Sequence, residues 1–164
     1  MKIIAMSDSH GETAAMHEIV QKHRTADLIA FCGDGSSDIA AIRSMFPDKA
    51  VLAVRGNCDW YCDLPYYQEI ELCGKKIMIT HGHLLGVKQG YQRIIDYGHS
   101  NGIDIMIFGH THKQMTSVEG RMLLVNPGSV GYSRKYTLIE IDDETGKMTA
   151  TEYPDNMYGP TVIA

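Results

Sequence analysis

The sequence has no apolar run long enough to cross a membrane and no apolar leader at its start. None of its hydrophobic stretches approaches the roughly 20 residues that a transmembrane helix needs. Before Ser7 there is one lysine followed by a run of only four apolar residues, which is too short for the apolar region of a signal peptide. We therefore expect a cytoplasmic protein that makes no use of a membrane.

Cysteine is scarce, and basic charge is not concentrated anywhere in the chain. The four cysteines include no C-x-x-C pair, and we expect reduced thiols rather than a disulfide framework. The net charge is −5 and no cluster of lysine or arginine is present. A long nucleic acid as an obligatory partner would require a basic stripe, so a small substrate is the better expectation.

The first third of the chain alternates short apolar runs with segments of helical periodicity. Such alternation predicts parallel strands joined by right-handed crossovers. The length of 164 residues suits one domain, 1–164, with a sizeable core. The predicted strands are 2–7, 27–34 and 49–57, and the predicted helices are 13–24 and 37–46.

The pattern changes in the second half of the chain. Segments 66–72 and 75–82 flank Cys73 and Gly74, which predicts a hairpin with the turn at the glycine. A helix over 88–102 and a strand over 103–109 follow, and only strand-like segments are recognised after Thr116. These are 121–129, 136–142 and 147–154. The result is an α/β fold with one mixed sheet or two packed sheets, and no role is predicted for 155–164.

Polar residues follow five of the apolar runs, at the point where each predicted strand ends. In open α/β sheets the carboxyl ends of the strands form the edge at which ligands bind. Five of the eight histidines occur at such strand ends. The five segments are Asp8-Ser9-His10, Gly33-Asp34, Gly56-Asn57-Cys58-Asp59, His81-Gly82-His83 and Gly109-His110-Thr111-His112.

This set of side chains has the chemistry of a transition-metal site. Imidazole, carboxylate and amide donors together suit Mn, Fe, Co, Ni or Zn better than Mg. In an extended backbone His110 and His112 would point to the same side. Seven donors are too many for one tetrahedral ion but fit two metals that share a carboxylate. Such a pair would attract a phosphate and lower the pKa of a bridging water.

The five motifs, in this order along nearly the whole chain, resemble the calcineurin-like metallophosphoesterase superfamily. The closest resemblance is to its small bacterial and archaeal single-domain phosphodiesterase branch. It implies a four-layer αββα sandwich of two mixed sheets flanked by helices, and a metal-bound hydroxide as nucleophile. The ligands that it implies are Asp8, His10 and His112 for one metal, Asn57, His81 and His110 for the other, and Asp34 as the bridge.

The resemblance also implies cofactors and a substrate class. We expect two divalent transition-metal ions, manganese first, with nickel, cobalt, iron and zinc as alternatives. The substrate would be a small phosphodiester or a nucleotide-like compound. The aromatic residues that follow the third motif either line a substrate pocket or pack a contact within a homo-oligomer, and the sequence does not separate these two roles. They are Trp60, Tyr61, Tyr66 and Tyr67.

Three further residues are candidates for a catalytic role. Many superfamily members have histidine after the asparagine, where this chain has Cys58, and a thiol of ordinary pKa is a poor general acid. We therefore predict a preference for good leaving groups. His83 is the remaining candidate for an acid or a phosphate contact, with an exposed loop histidine as the alternative. Asp59 would either orient a histidine ligand or stabilise its turn.

Other polar residues near the motifs have plainer interpretations. Asp38 is expected at the beginning of a helix, as a cap or first-turn charge rather than a ligand. Arg55 would either contact phosphate or form an ion pair with an aspartate. The segment "NPGS" at 126–129 resembles one that is common in the branch, and a turn at a strand end explains it equally well.

Two other functions use the same fold. The retromer subunit that resembles this branch is a scaffold for protein partners, with a degenerate metal site. Fold alone does not separate an enzyme from such a scaffold, but all seven ligand positions carry competent side chains here. A metal-dependent nuclease acting on short or single-stranded ends is the third alternative, and the missing basic stripe argues against it.

Overall fold

Two β-sheets pack face to face in the computed structural model, which describes residues 1–154 and 159–163. One sheet has six strands in the order β11-β10-β9-β1-β2-β3, and the other has five in the order β4-β5-β6-β8-β7. The strands are β1 Lys2–Met6, β2 Leu28–Phe31, β3 Ala50–Ala53, β4 Tyr67–Leu72, β5 Lys75–Thr80, β6 Ile105–Phe108, β7 Met115–Glu119, β8 Met122–Asn126, β9 Tyr136–Ile141, β10 Met148–Tyr153 and β11 Thr161–Ile163. The helices are α1 Thr13–Lys22, α2 Ser36–Met45, α3 Gln92–Ser100 and α4 Val130–Ser133.

Three apolar layers hold these elements together. Along β1, Ile3 and Ala5 face the second sheet, whereas Ile4 and Met6 face α1 and α2. A third cluster packs α3 against the outer face of the five-stranded sheet. Strands that are buried on both faces read as continuous apolar runs, which is why the sequence shows them so clearly. The four-layer sandwich of two mixed sheets flanked by helices is confirmed.

The first three strands are parallel and the hairpin is antiparallel, as predicted. β1 pairs with β2 and β2 with β3 in parallel, and β4 pairs with β5 across the turn at Cys73 and Gly74. Among the described residues, the helices are too short or too polar to cross a bilayer. The carboxyl ends of β1 and β2 in one sheet and of β5 and β6 in the other lie along one rim, where side chains from the loops that follow them approach one another.

Three elements were missing from the sequence prediction. β7 was not recognised because its exposed edge carries a mixed pattern, and α4 because four residues give too little periodicity. β11 pairs antiparallel with β10 and lies in the segment to which no role was assigned. Residues 155–158 and 164 of that segment lie outside the described residues.

Candidate metal centre

The structure brings the predicted ligands together along the rim as two adjacent groups of donors. Within each group, one ligand atom of every residue lies within 4.8 Å of the others. The amide of Asn57 joins the second group, with Oδ1 3.1 Å from Nε2 of His81. The first group consists of Asp8, His10 and His112, and the second of Asp34, His81 and His110.

Five of these ligands have an unusual backbone conformation. Their φ angles lie between 47° and 70°, in the left-handed region that non-glycine residues rarely adopt. The extended geometry considered for His110 and His112 does not apply, because β6 ends at Phe108 and both histidines are left-handed. Each histidine joins a different group. The five residues are Asp8, His10, Asp34, His110 and His112.

One carboxylate oxygen of Asp8 accepts two hydrogen bonds, and the other faces the first group of donors. Its Oδ2 accepts hydrogen bonds from the hydroxyl of Ser7 at 2.5 Å and from the amide of His110 at 3.1 Å. Its Oδ1 is buried and faces two imidazole nitrogens, Nε2 of His112 at 3.0 Å and Nε2 of His10 at 3.9 Å. Burial raises the pKa of Asp8, and a cation bound beside this oxygen would favour its ionised form.

The second group pairs the buried imidazole of His81 with the carboxylate of Asp34. Burial alone would lower the pKa of His81, but the carboxylates of Asp34 and Asp8 raise it. Nδ1 of His81 donates to the carbonyl of Cys32 at 2.6 Å, which directs Nε2 towards Asp34, 3.3 Å away. A histidine fixed in this way by its other nitrogen is typical of metal ligands. Burial opposes ionisation of Asp34, but the hydrogen bonds from His81 and the amide of Cys58 outweigh it and hold its pKa well below the usual range.

The remaining histidine of the second group is neutral. Burial, reinforced by the nearby charge of His81, lowers the pKa of His110 to about 4. Its lone pair is therefore available near neutral pH. In the first group, Nε2 of His10 lies 3.4 Å from Nε2 of His112, so two nitrogen donors converge beside Oδ1 of Asp8. This donor set suits borderline divalent metals.

The candidates for acid and phosphate contacts lie beside the second group. His83 occupies a single turn of 3-10 helix over His83–Leu85, with its ring 5.3 Å from that of His81. Its Nδ1 is buried and makes no hydrogen bond within the described residues. The thiol of Cys58 is exposed and accepts from the amide of Asn57 at 3.3 Å. Burial and the carboxylate of Asp34 raise the pKa of Cys58, so this thiol is a weak acid.

Asp59 stabilises the turns that carry the ligands rather than a histidine ring. Its two carboxylate oxygens accept hydrogen bonds of 2.8 to 2.9 Å from four backbone amides. One of these amides belongs to Asp34 itself and another to Gly56. Of the two interpretations given for Asp59, the contacts support the turn-stabilising one. The other two amides are those of Gly35 and Ser36.

Asp38 and Arg55 also fix loops. Asp38 lies in the first turn of α2, and its buried carboxylate accepts from Ser9, Gly11 and Thr13. The ion pair expected for Arg55 is wrong, because its guanidinium donates to the carbonyl of Asp59 at 2.9 Å and to that of Cys62 at 3.4 Å. It also lies 5.1 Å from the centre of the Tyr66 ring.

The segment 126–129 contacts two of the loops that carry metal-ligand candidates. The amide of Asn126 donates to the carbonyl of Gly109 and to the hydroxyl of Thr111, each at 3.0 Å. The hydroxyl of Ser129 donates to the carbonyl of Asp8 at 2.8 Å. The interpretation as a plain turn therefore misses its contacts with both ligand loops.

One aromatic residue near the site gave no signal in the sequence. The ring of Tyr132 stacks on His112 at 5.0 Å and lies edge-on to His10 at 5.4 Å. On the other flank, His10, Asp34, Cys58 and Trp60 line part of a cavity of about 250 Å³. The predicted aromatic cluster thus contributes at least its tryptophan to the surroundings of the site.

Comparison with known families shows which superfamily the chain that forms this rim belongs to. The family model described as the calcineurin-like phosphoesterase superfamily domain matches residues 1–144. The chain belongs to this superfamily. It is 31% identical over 150 residues to the probable metallophosphoesterase YsnB of Bacillus subtilis, which covers 88% of this chain and 86% of that protein. It is 27% identical over 155 residues to the phosphodiesterase YfcE of Escherichia coli, with 79% of each chain covered.

Two solved structures share this fold over nearly the whole chain. An uncharacterised protein of Streptococcus pneumoniae, described as a predicted phosphoesterase, superposes with a TM-score of 0.81 at 27% identity, covering 99% of this chain and 96% of the other. Wild-type Vps29 of Entamoeba histolytica, complexed with zinc, gives a TM-score of 0.73 at 20% identity, covering 99% and 97%. This second likeness establishes the fold alone.

Proposed function

We propose that the protein is a phosphodiesterase with a dinuclear metal centre. The observation that carries this proposal is the pair of adjacent donor groups on one rim, with a buried oxygen of Asp8 facing two imidazole nitrogens in one of them. Bound there, two divalent ions supply a water-derived nucleophile near neutral pH and neutralise charge on the phosphate oxygens. Membership of the superfamily and the phosphodiesterase name of YfcE favour the same reaction.

Each group of donors would hold one metal ion. Asp8, His10 and His112 would hold one ion, and Asn57, His81 and His110 the other, with Asp34 between them. Oδ2 of Asp34 lies 3.3 Å from Nε2 of His81. His83 would contact the phosphate, because its ring lies beside the second group. We propose manganese as the first metal to test, with nickel, cobalt, iron and zinc as alternatives.

The test is metal-dependent hydrolysis of bis(4-nitrophenyl) phosphate. Protein stripped with a chelator is assayed alone and after addition of each metal in turn, with magnesium as the metal that this donor set disfavours. We expect at least one transition metal to raise the rate about fifty-fold or more above the stripped protein. A folded protein that no metal activates would contradict the proposal.

That negative outcome would favour the scaffold alternative, in which this fold binds protein partners, because the chain also shares its fold with Vps29. The choice of substrate distinguishes the nuclease alternative from the phosphodiesterase. Hydrolysis of single-stranded oligonucleotides that falls steeply with added salt would support the nuclease. Hydrolysis of the small diester that changes little with salt would support the phosphodiesterase.

The leaving group is expected to decide the rate, because Cys58 lies where many superfamily members have histidine. We predict that kcat on an aryl phosphodiester exceeds that on an alkyl phosphodiester by about a hundred-fold or more, a range typical of missing general-acid catalysis. Cys58→His should narrow this ratio, and Cys58→Ser serves as the matched control. Equal rates on the two classes in the unaltered protein would contradict the prediction.

A further inference from the structure

A second cavity adjoins the metal centre on the side of His110. It has a volume of about 310 Å³ and is lined by Val87, Lys88, Tyr91, Thr111 and Lys113. Thr111 stands between the two ligands His110 and His112, so the cavity shares a wall with the ligand loop. Its volume lies within the range of small-ligand sites.

The cavity offers ammonium and hydroxyl donors and no carboxylate. Neither Lys88 nor Lys113 forms an ion pair with any residue that the structure describes. The hydroxyl oxygen of Thr111 accepts from the side-chain amide of Asn126 at 3.0 Å and from the backbone amide of Lys113 at 3.2 Å. With both lone pairs used, its proton is left to donate to an acceptor in the cavity.

The walls of the cavity are held in place. The half-buried ring of Tyr91 lies edge-on against Phe108, with 5.5 Å between centroids. Val87 is buried against Gly82, the residue that follows His81. Elements that carry metal ligands therefore also fix the cavity. A group bound in it would be oriented relative to the scissile phosphate.

We propose that this cavity binds a second phosphate group of the substrate, away from the phosphate that is hydrolysed. The inference rests on the proposed phosphodiesterase function and narrows its substrate class to phosphodiesters that carry a further terminal phosphate. Two ammonium groups and two hydroxyl groups match the charge and the oxygen acceptors of a phosphate monoester. An uncharged substituent would leave the lysines in water and gain little from this cavity.

The experiment compares two chromogenic nucleotides that differ only in the remote phosphate. These are thymidine 5′-(4-nitrophenyl phosphate) and the same compound with a 3′-phosphate, and the readout is the ratio of their kcat/KM values. We expect the unaltered protein to prefer the 3′-phosphorylated compound by about ten-fold or more, as charge-assisted hydrogen bonds would give. The double variant Lys88→Gln, Lys113→Gln should bring this ratio close to one.

The control variant is Lys147→Gln, which removes one positive charge from the turn between β9 and β10, near Met1 and away from the rim. It should keep the preference. A ratio near one in the unaltered protein, or a preference that survives in the double variant, would overturn the inference.

Direct binding separates this inference from the proposed function. Calorimetry with the purified full-length chain compares thymidine 3′,5′-bisphosphate with thymidine 5′-monophosphate. Tighter binding of the bisphosphate that the double variant abolishes supports the anion site even in a chain that hydrolyses neither of the two chromogenic phosphodiesters, a result that would refute only the phosphodiesterase. Equal binding of the two compounds would refute the anion site.

Discussion

His81→Ala is expected to lower kcat/KM for bis(4-nitrophenyl) phosphate by about a thousand-fold or more in the presence of the activating metal. The imidazole is fully buried, and its Nε2 lies 3.1 Å from Oδ1 of Asn57 and 3.3 Å from Oδ2 of Asp34. Its loss would remove one donor from the second group and leave the carbonyl of Cys32 without the hydrogen bond from Nδ1. Changes that act only through a ligand's neighbours already cost ten- to hundred-fold, so a ligand should cost more.

The control for folding is a ligand nearer the surface. His112 is partly exposed, and His112→Ala removes a donor from the first group with less disturbance of the core. Both variants are measured for activity, for bound metal by elemental analysis and for thermal unfolding. A His81→Ala protein that is folded, contains two equivalents of metal and has normal activity would contradict the assignment of His81.

Asp59→Ala is expected to lower the free energy of unfolding by about 4 kcal/mol, although Asp59 is no metal ligand. The substitution leaves four backbone amides without their acceptor, and each buried unsatisfied amide costs about 1 to 3 kcal/mol. Entry of water into the turn offsets part of this cost. For a chain of this length the change corresponds to a fall in Tm of about 10 °C. Activity should fall as well, because the turn carrying Asp34 loses its anchor.

Asp63→Ala is the matched control for this variant, because Asp63 is an exposed aspartate four residues away. Its free energy of unfolding, measured by urea denaturation, should stay within about 0.5 kcal/mol of that of the unaltered protein, as for most surface substitutions. An Asp59→Ala protein with an unchanged midpoint would show that the four amides find other partners. Asp59→Asn keeps one acceptor oxygen and replaces the other by an NH2 donor, so it should leave two of the four amides without an acceptor and lower stability by less than Asp59→Ala.

The sequence was sufficient to predict the elements that bury apolar surface and the loops that follow them. β1 and β6 are continuous apolar runs, and the polar residues after them meet because parallel strands end at one edge. This reasoning brings His10 and His110 to the same rim from positions a hundred residues apart. It needs only periodicity and the direction of the strands.

What the sequence did not reveal depends on contacts between distant loops. Asn126 supports the loop of Gly109 and Thr111, and Asp59 supports the turn of Asp34, yet neither partner follows from local pattern. The stacking of Tyr132 on His112 depends on a four-residue helix that periodicity cannot detect. Loop conformation and side-chain partners are set by tertiary packing, which a single sequence does not show.

The left-handed backbone at five of the ligands has a consequence for how the protein could change. A non-glycine residue in this conformation costs on the order of 1 kcal/mol, and glycine would relieve that cost. His10→Gly or His112→Gly would thus ease the loop while removing an imidazole. Selection for thermal stability alone would favour erosion of the donor set, because a relaxed backbone and a complete coordination shell are opposing demands at the same residues.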